Sequence, residues 1–65
     1  MWVEFMTVRN AYIAETWREL FAAEGLAVRV VPPVGHGEKE SMRDARTLYV
    51  PTGKAHVARE ILRKI

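Results

Sequence analysis

The sequence contains no cysteine and only one serine among its 65 residues. Without cysteine the chain can form neither disulfide bonds nor thiolate metal sites. The single serine, Ser41, lies outside any GxSxG pattern, which excludes the nucleophile turn of the α/β hydrolases. Because disulfides belong mainly to oxidising compartments, the lack of cysteine is also consistent with a cytoplasmic location, which we predict.

Long apolar runs and strong net charge are also missing. No stretch approaches the roughly 20 apolar residues that a membrane span needs, so we predict no membrane partner. The opening stretch, MWVEFMTVRN, has neither the basic start nor the long apolar segment of a signal peptide. A net charge of +2 is low for a nucleic-acid-binding domain, which usually carries a dense basic stripe. These features predict one small soluble domain spanning residues 1–65.

Residues able to carry catalysis are few and scattered. Gly53-Lys54 resembles part of a phosphate-binding loop, but Leu48 stands where that motif has its first glycine. The two histidines, His36 and His56, have no second histidine at helical spacing and no evident set of further metal ligands. We therefore predict that the chain is not an enzyme, with no catalytic residue, no cofactor and no metal.

Hydrophobic periodicity divides the chain into five elements. Apolar residues at helical spacing, between a capping asparagine (Asn10) and a terminating glycine (Gly25), predict the first helix. Thr52 is predicted to cap the second helix. Short β-branched and aromatic runs predict the strands. The predicted strands are Trp2–Val8, Leu26–Val31 and Arg46–Val50, and the predicted helices are Ala11–Glu24 and Gly53–Ile65.

The apolar positions of these elements predict the core. Helix stripes of apolar residues are expected to pack on inward-facing strand residues. Simple alternation along the first strand would place Val3 and Phe5 on one face and Trp2, Met6 and Val8 on the other. The helix stripes are Ile13, Ala14, Trp17, Leu20 and Phe21, then Val57, Ala58, Ile61, Leu62 and Ile65, and the inward strand residues are Leu26, Val28, Val30, Leu48 and Val50.

The element order β-α-β-β-α predicts an α+β fold. A right-handed crossover would make the first two strands parallel. The third strand would return antiparallel and lie between them, giving a three-stranded sheet in the order 1-3-2 with both helices on one face. This is a ferredoxin-like arrangement.

Such a sheet leaves one strand edge and one face uncovered, which predicts self-association. The first strand is an open edge, and two copies could pair through that edge or through the exposed face to form a homodimer. A rival use of the face is binding of single-stranded nucleic acid through Trp2, Arg29 and Tyr49, although the RNA-recognition strand motif is absent. Glu4 is expected beside Arg29 on the same face, where the two could pair within one chain or across two. The predicted dimer face consists of Trp2, Met6, Arg29, Val31 and Tyr49.

A polar stretch, PPVGHGEKESMRDAR, occupies residues 32–46 between the second and third strands. Functional residues are often carried on surface loops, so this segment is a candidate contact site for a protein partner. A plain connector is an equally open interpretation. The candidate contact residues are His36, Glu38, Lys39, Arg43 and Arg46.

The chain as a whole resembles a family of small bacterial proteins described as prokaryotic signal-transducing proteins. The resemblance lies in Asn10-Ala11, in the helix end AAEGL, and in LYVPTGKAHVAREIL. It implies a fold similar to the PII nitrogen regulators, in which a loop between the second and third strands contacts targets. A small regulatory or adaptor module that binds a protein through residues 32–46 is therefore the expected function.

Overall fold

The computed structural model describes residues 1–31 and 44–65. Strand β1 spans Trp2–Val8 and helix α1 spans Ala11–Ala23. Strand β2 is Arg29–Val31, and strand β3 is Arg46–Pro51. A 3₁₀ turn, Thr52–Lys54, then leads into helix α2, Ala55–Arg63. Element type and order agree with the sequence prediction, whereas β2 and α2 are shorter than predicted.

Helix α1 begins at the predicted asparagine. Asn10 has an extended backbone, and its side-chain Oδ1 accepts a hydrogen bond from the backbone N–H of Ile13 at 2.9 Å. That bond satisfies one of the amides that the first helical turn leaves without an intrahelical partner. The cap fixes where the chain turns from β1 into the helix.

The end of α1 is fixed by glycine. Gly25 has a φ of 86°, a left-handed conformation that side-chain-bearing residues rarely adopt. Its N–H donates to the carbonyl of Ala22, and the N–H of Leu26 donates to the carbonyl of Phe21, each at 2.9 Å. This pair of bonds is a Schellman motif. Leu26 is thereby turned back onto Phe21, and both side chains lie in the same buried cluster.

The three strands form one sheet in the order β1-β3-β2, as predicted. Both hydrogen-bonded pairs, β1 with β3 and β2 with β3, are antiparallel. Every ladder of the described sheet is therefore antiparallel, and the first and second strands, which were expected to be parallel, run in the same direction without pairing with each other. The long central strand β3 separates β1 from β2, so the two outer strands make no ladder with each other.

Strand β1 contains an irregularity that simple alternation does not predict. Glu4 pairs with Tyr49 and Met6 pairs with Leu48, so two steps along β1 match one step along β3. Phe5 is the additional residue, and the register shift is that of a β-bulge. Beyond the bulge, each residue of β1 lies on the face opposite to the one that alternation from Trp2 would give it, because a one-residue shift reverses the side-chain direction.

The bulge corrects the predicted faces of β1. Met6 and Val8 pack with Leu48 and Ala14 on the side of the sheet that the helices cover. Phe5 reaches the same side and contacts the Phe21 ring edge-on, with ring centroids 6.0 Å apart. Met6 therefore does not belong to the uncovered face, where the sequence analysis had placed it.

Two adjoining clusters form the core between the helices and β3. One joins both helices to the sheet, since Phe21 of α1 and Ala58 and Ile61 of α2 surround Val50. The other packs α1 on the start of β3 through Ala14, Val8 and Leu48. The fully buried side chains of largest volume are Phe21, Leu48 and Val50.

The predicted cap of the second helix is wrong. The Thr52 hydroxyl donates to the carbonyl of Met1 at 3.1 Å, and the Thr52 N–H donates to that same carbonyl at 2.8 Å. The side chain makes no capping bond to the following turn. Thr52 instead connects the end of β3 to the start of β1, and the 3₁₀ turn takes the place of a capped helical start.

Candidate interaction surface

The side of the sheet opposite the helices, here called the open face, is covered by no helix or strand within residues 1–31 and 44–65. Paired residues share a face, so the register places the open-face residues in three cross-strand rows. The middle row runs across all three strands as Glu4, Tyr49 and Arg29. The flanking rows are Trp2 with Pro51 and Thr7 with Thr47 and Val31.

Four open-face residues line a shallow depression with a volume of about 330 Å³. The guanidinium of Arg29 lies 5.3 Å from the centre of the Trp2 ring, within range of a cation–π interaction. This contact holds the arginine against the sheet surface. The lining residues are Trp2, Arg29, Val31 and Tyr49, which are four of the five residues predicted from the sequence.

The open face is amphipathic and carries balanced charge. Trp2 is 39% exposed, while Tyr49 and Val31 are half-buried. Glu4 and Arg29 contribute one charge of each sign, so the formal charges on the three rows cancel. The basic residues of α2, such as Arg59 and Arg63, belong to an element packed on the other side of the sheet.

The base of the 32–46 segment is held by a buried arginine. Arg46, the first residue of β3, is only 6% exposed. Its Nη1 donates to the carbonyls of Asp44 and Ala45 at 2.9 and 3.1 Å. Arg46 was predicted as a partner contact, but its burial gives it a structural position where the chain enters β3. The other predicted contacts, His36, Glu38, Lys39 and Arg43, lie outside the described residues.

The perturbed charges of the described residues lie away from the open face. On α1, the Arg18 guanidinium donates to the Glu15 carboxylate at 3.1 Å, and this hydrogen bond lowers the pKa of Glu15. The same bond raises the pKa of Arg18. Both side chains are about half exposed, so water screens the pair and its contribution to stability is small. This is a helix-surface pair at i, i+3 spacing.

Metal-binding and membrane-spanning features were sought in the described part of the chain. There, no group of three or more histidine, cysteine, aspartate or glutamate side chains could hold a metal ion. His56 lies exposed on α2. Of the helices described, neither has the length and apolar character that crossing a bilayer requires.

Sequence reasoning placed Glu4 and Arg29 on the open face, but it did not align them in one row with Tyr49. The separate signals were present, since alternation places Arg29 and Tyr49 away from the core. The register of β1 on β3 adds that Glu4 lies directly opposite Tyr49. Compared with family models, curated proteins and solved structures, the chain matches none of them.

Proposed function

We propose that this chain is a small non-catalytic regulatory or adaptor module that binds a protein partner through the 32–46 segment. The observation that supports this most is the way the segment is anchored. Val31 lies opposite Thr47 in the β2–β3 ladder, so the segment leaves and re-enters the sheet at neighbouring positions. The buried Arg46, bonded to the carbonyls of Asp44 and Ala45, secures the returning end.

Such an anchor suits partner binding because it fixes the base of a polar segment on the sheet. The segment itself supplies charged groups of both signs, including Glu38, Lys39 and Arg43. Charged groups of this kind select partners by complementarity and raise the rate of encounter. The proposal that the module is not an enzyme rests on the sequence, which offers no nucleophile and base at a recognisable spacing.

Capture from the native cell extract tests this proposal. We expect the wild-type chain to retain a protein that the double variant Lys39→Gln/Arg43→Gln binds about tenfold more weakly or worse, because charge-assisted contacts are lost. The matched control, Arg59→Gln/Arg63→Gln, removes the same charge from α2 and should capture the protein as wild type does. Equal capture by the segment variant, or equal loss in the control, would contradict the proposal.

Binding of single-stranded nucleic acid is the second candidate, favoured by the convergence of Trp2, Arg29 and Tyr49 around one depression. Aromatic rings can stack on bases, and arginine can contact phosphate. The negative charge of Glu4 cancels the positive charge of Arg29. This cancellation disfavours nucleic-acid binding, because nucleic-acid affinity depends mainly on excess positive charge. A protein partner is therefore the better proposal.

Fluorescence anisotropy with a labelled single-stranded oligonucleotide separates the two candidates. We expect no binding at moderate salt. Affinity that falls steeply with added salt, and that is lost in Tyr49→Ala, would instead establish the nucleic-acid function. An unaffected Tyr12→Ala variant would be the control, since Tyr12 is 64% exposed on α1.

We further propose that the architecture is ferredoxin-like and related to the PII-like signalling family. Support comes from the 1-3-2 strand order, with a helix after β1 and another after β3. It also comes from the shared packing of both helices against Val50. A cytoplasmic location is proposed with it, on the absence of cysteine from the sequence.

A further inference from the structure

The middle row of the open face has opposite charges on either side of an aromatic residue. Glu4 on β1 and Arg29 on β2 both pair with Tyr49 on the central strand. Neighbouring strands are about 4.8 Å apart, so the backbones of Glu4 and Arg29 lie at about equal distances on either side of Tyr49. In the single chain the Arg29 guanidinium extends across the face to within 5.3 Å of the Trp2 ring centre, so it must turn away from Trp2 to meet a second copy. When such a row faces a copy of itself in the reversed direction, each negative residue meets a positive one and the aromatic residues meet each other.

We propose that the open face docks on the open face of a second copy of this chain, with the two-fold axis running along β3. Rotation about that axis exchanges the positions of β1 and β2. Glu4 of each copy then meets Arg29 of the second copy, and Tyr49 meets Tyr49. The strands of the two sheets stay roughly aligned, which is a common geometry for sheets packed face to face.

The charge pattern rejects the other simple two-fold arrangement. An axis running across the strands would leave β1 facing β1, so that Glu4 would meet Glu4 and Arg29 would meet Arg29. Like charges facing each other across an interface cost several kcal/mol. The same row that favours the first arrangement therefore disfavours the second.

The bulge in β1 favours docking by the face over pairing by the edge. Edge-to-edge pairing needs a regular row of free backbone groups, and bulges are one way that natural sheets block it. The register of β1 shifts between Glu4 and Met6, in the middle of the strand. The uncovered apolar surface of Trp2, Tyr49 and Val31 is available only on the face.

The size of the face implies a weak dimer. Three strands at about 4.8 Å spacing and about six residues of length cover roughly 300–400 Å². Even with large side chains, this is below the roughly 800 Å² per partner of a standard stable interface. The expected assembly is therefore a reversible homodimer that forms at high concentration.

Sedimentation velocity tests the proposal over roughly 10 µM to 1 mM, a range that covers weak dimers with micromolar to millimolar Kd. Wild type is expected to shift from monomer towards dimer.

Glu4→Arg leaves two positive charges on the row, and Arg29→Glu leaves two negative charges. Each variant alone should dimerise at least about tenfold more weakly, because like charges then meet. An equimolar mixture of the two should recover a dimer, since a positive row meets a negative one.

The controls make the same charge changes on the helices. Glu19→Arg on α1 and Arg59→Glu on α2 are exposed positions on the other side of the sheet and should leave dimerisation at the wild-type level. Far-UV circular dichroism checks that each variant folds, and Tyr49→Glu provides a second variant that places two negative charges on the axis.

Three results would overturn the proposal. The first is a wild-type chain that stays monomeric to about 1 mM, which would leave the face to another occupant, such as nucleic acid or residues 32–43. The second is a dimer that Glu4→Arg, Arg29→Glu and Tyr49→Glu do not weaken. The third is a mixture of oppositely charged variants that remains monomeric.

Discussion

Replacing Phe21 by alanine is expected to leave much of the protein unfolded at room temperature. Phe21 is fully buried and belongs to the larger core cluster, which joins both helices to the sheet. Its ring stacks on Trp17 at a centroid distance of 5.8 Å and meets Phe5 edge-on. Truncating a buried phenylalanine costs about 3–5 kcal/mol. A chain of this length has a total stability of roughly 3–10 kcal/mol, so the loss is a large fraction of it.

Chemical denaturation followed by circular dichroism measures this loss as a change in midpoint at constant slope. Tyr12→Ala is the matched control, because it removes an aromatic ring from an exposed site on the same helix and should cost about 0.5 kcal/mol or less. Equal stability for the two variants would show that Phe21 does not organise the core. A milder variant, Phe21→Leu, keeps most of the volume and should remain folded.

Helix α1 was predictable because its ends depend on neighbours in sequence. The Asn10 cap and the Gly25 end involve residues no more than five positions apart. The buried pair Ala14 and Phe21 follows from helical periodicity within the same segment. Local chemistry therefore sufficed, and the predicted and observed helices differ by one residue at the C-terminal end.

The faces of β1 could not be predicted in the same way. Its apolar residues occur at both odd and even positions, and alternation assigns Met6 and Val8 to the side away from Phe5. The bulge brings all three to the core, but it exists only because Glu4 and Met6 pair with consecutive residues about 45 positions later. Pairing over such a distance is set by how the whole sheet packs on the helices.

The residues of the candidate sites likewise divide into those that the sequence could predict and those that it could not. Trp2, Arg29, Val31 and Tyr49 were predicted to share a face, since each is fixed by alternation or by its position before the bulge. The role of Arg46 was not predictable, because arginine is usually exposed and only the structure shows its bonds to nearby carbonyls. Glu4 and Arg29 were predicted to share that face, but their alignment in one row with Tyr49 depends on the register.

The bulge makes a prediction that reverses the one from simple alternation. Met6→Lys is expected to destabilise the fold by about 2–4 kcal/mol, because the residue packs with the buried cluster of Val8, Ala14 and Leu48. The introduced charge would also have to leave the core or lose its hydration. Thr7→Lys is the matched variant. Thr7 is exposed on the open face opposite Thr47, so its replacement should cost about 0.5 kcal/mol or less.

Urea denaturation of both variants, at concentrations low enough to keep them monomeric, decides between the two arrangements of β1. Without the bulge, regular alternation continued from Trp2 and Glu4 would place Met6 on the open face and Thr7 towards the helices, so that Thr7→Lys would cost more stability than Met6→Lys. A Thr7→Lys variant that loses more stability than Met6→Lys would therefore contradict the observed register. We expect Met6→Lys to be the less stable variant. That result would show that the composition of the open face depends on one inserted residue, Phe5, because this residue turns Met6 towards the helices and leaves Glu4 beside Tyr49.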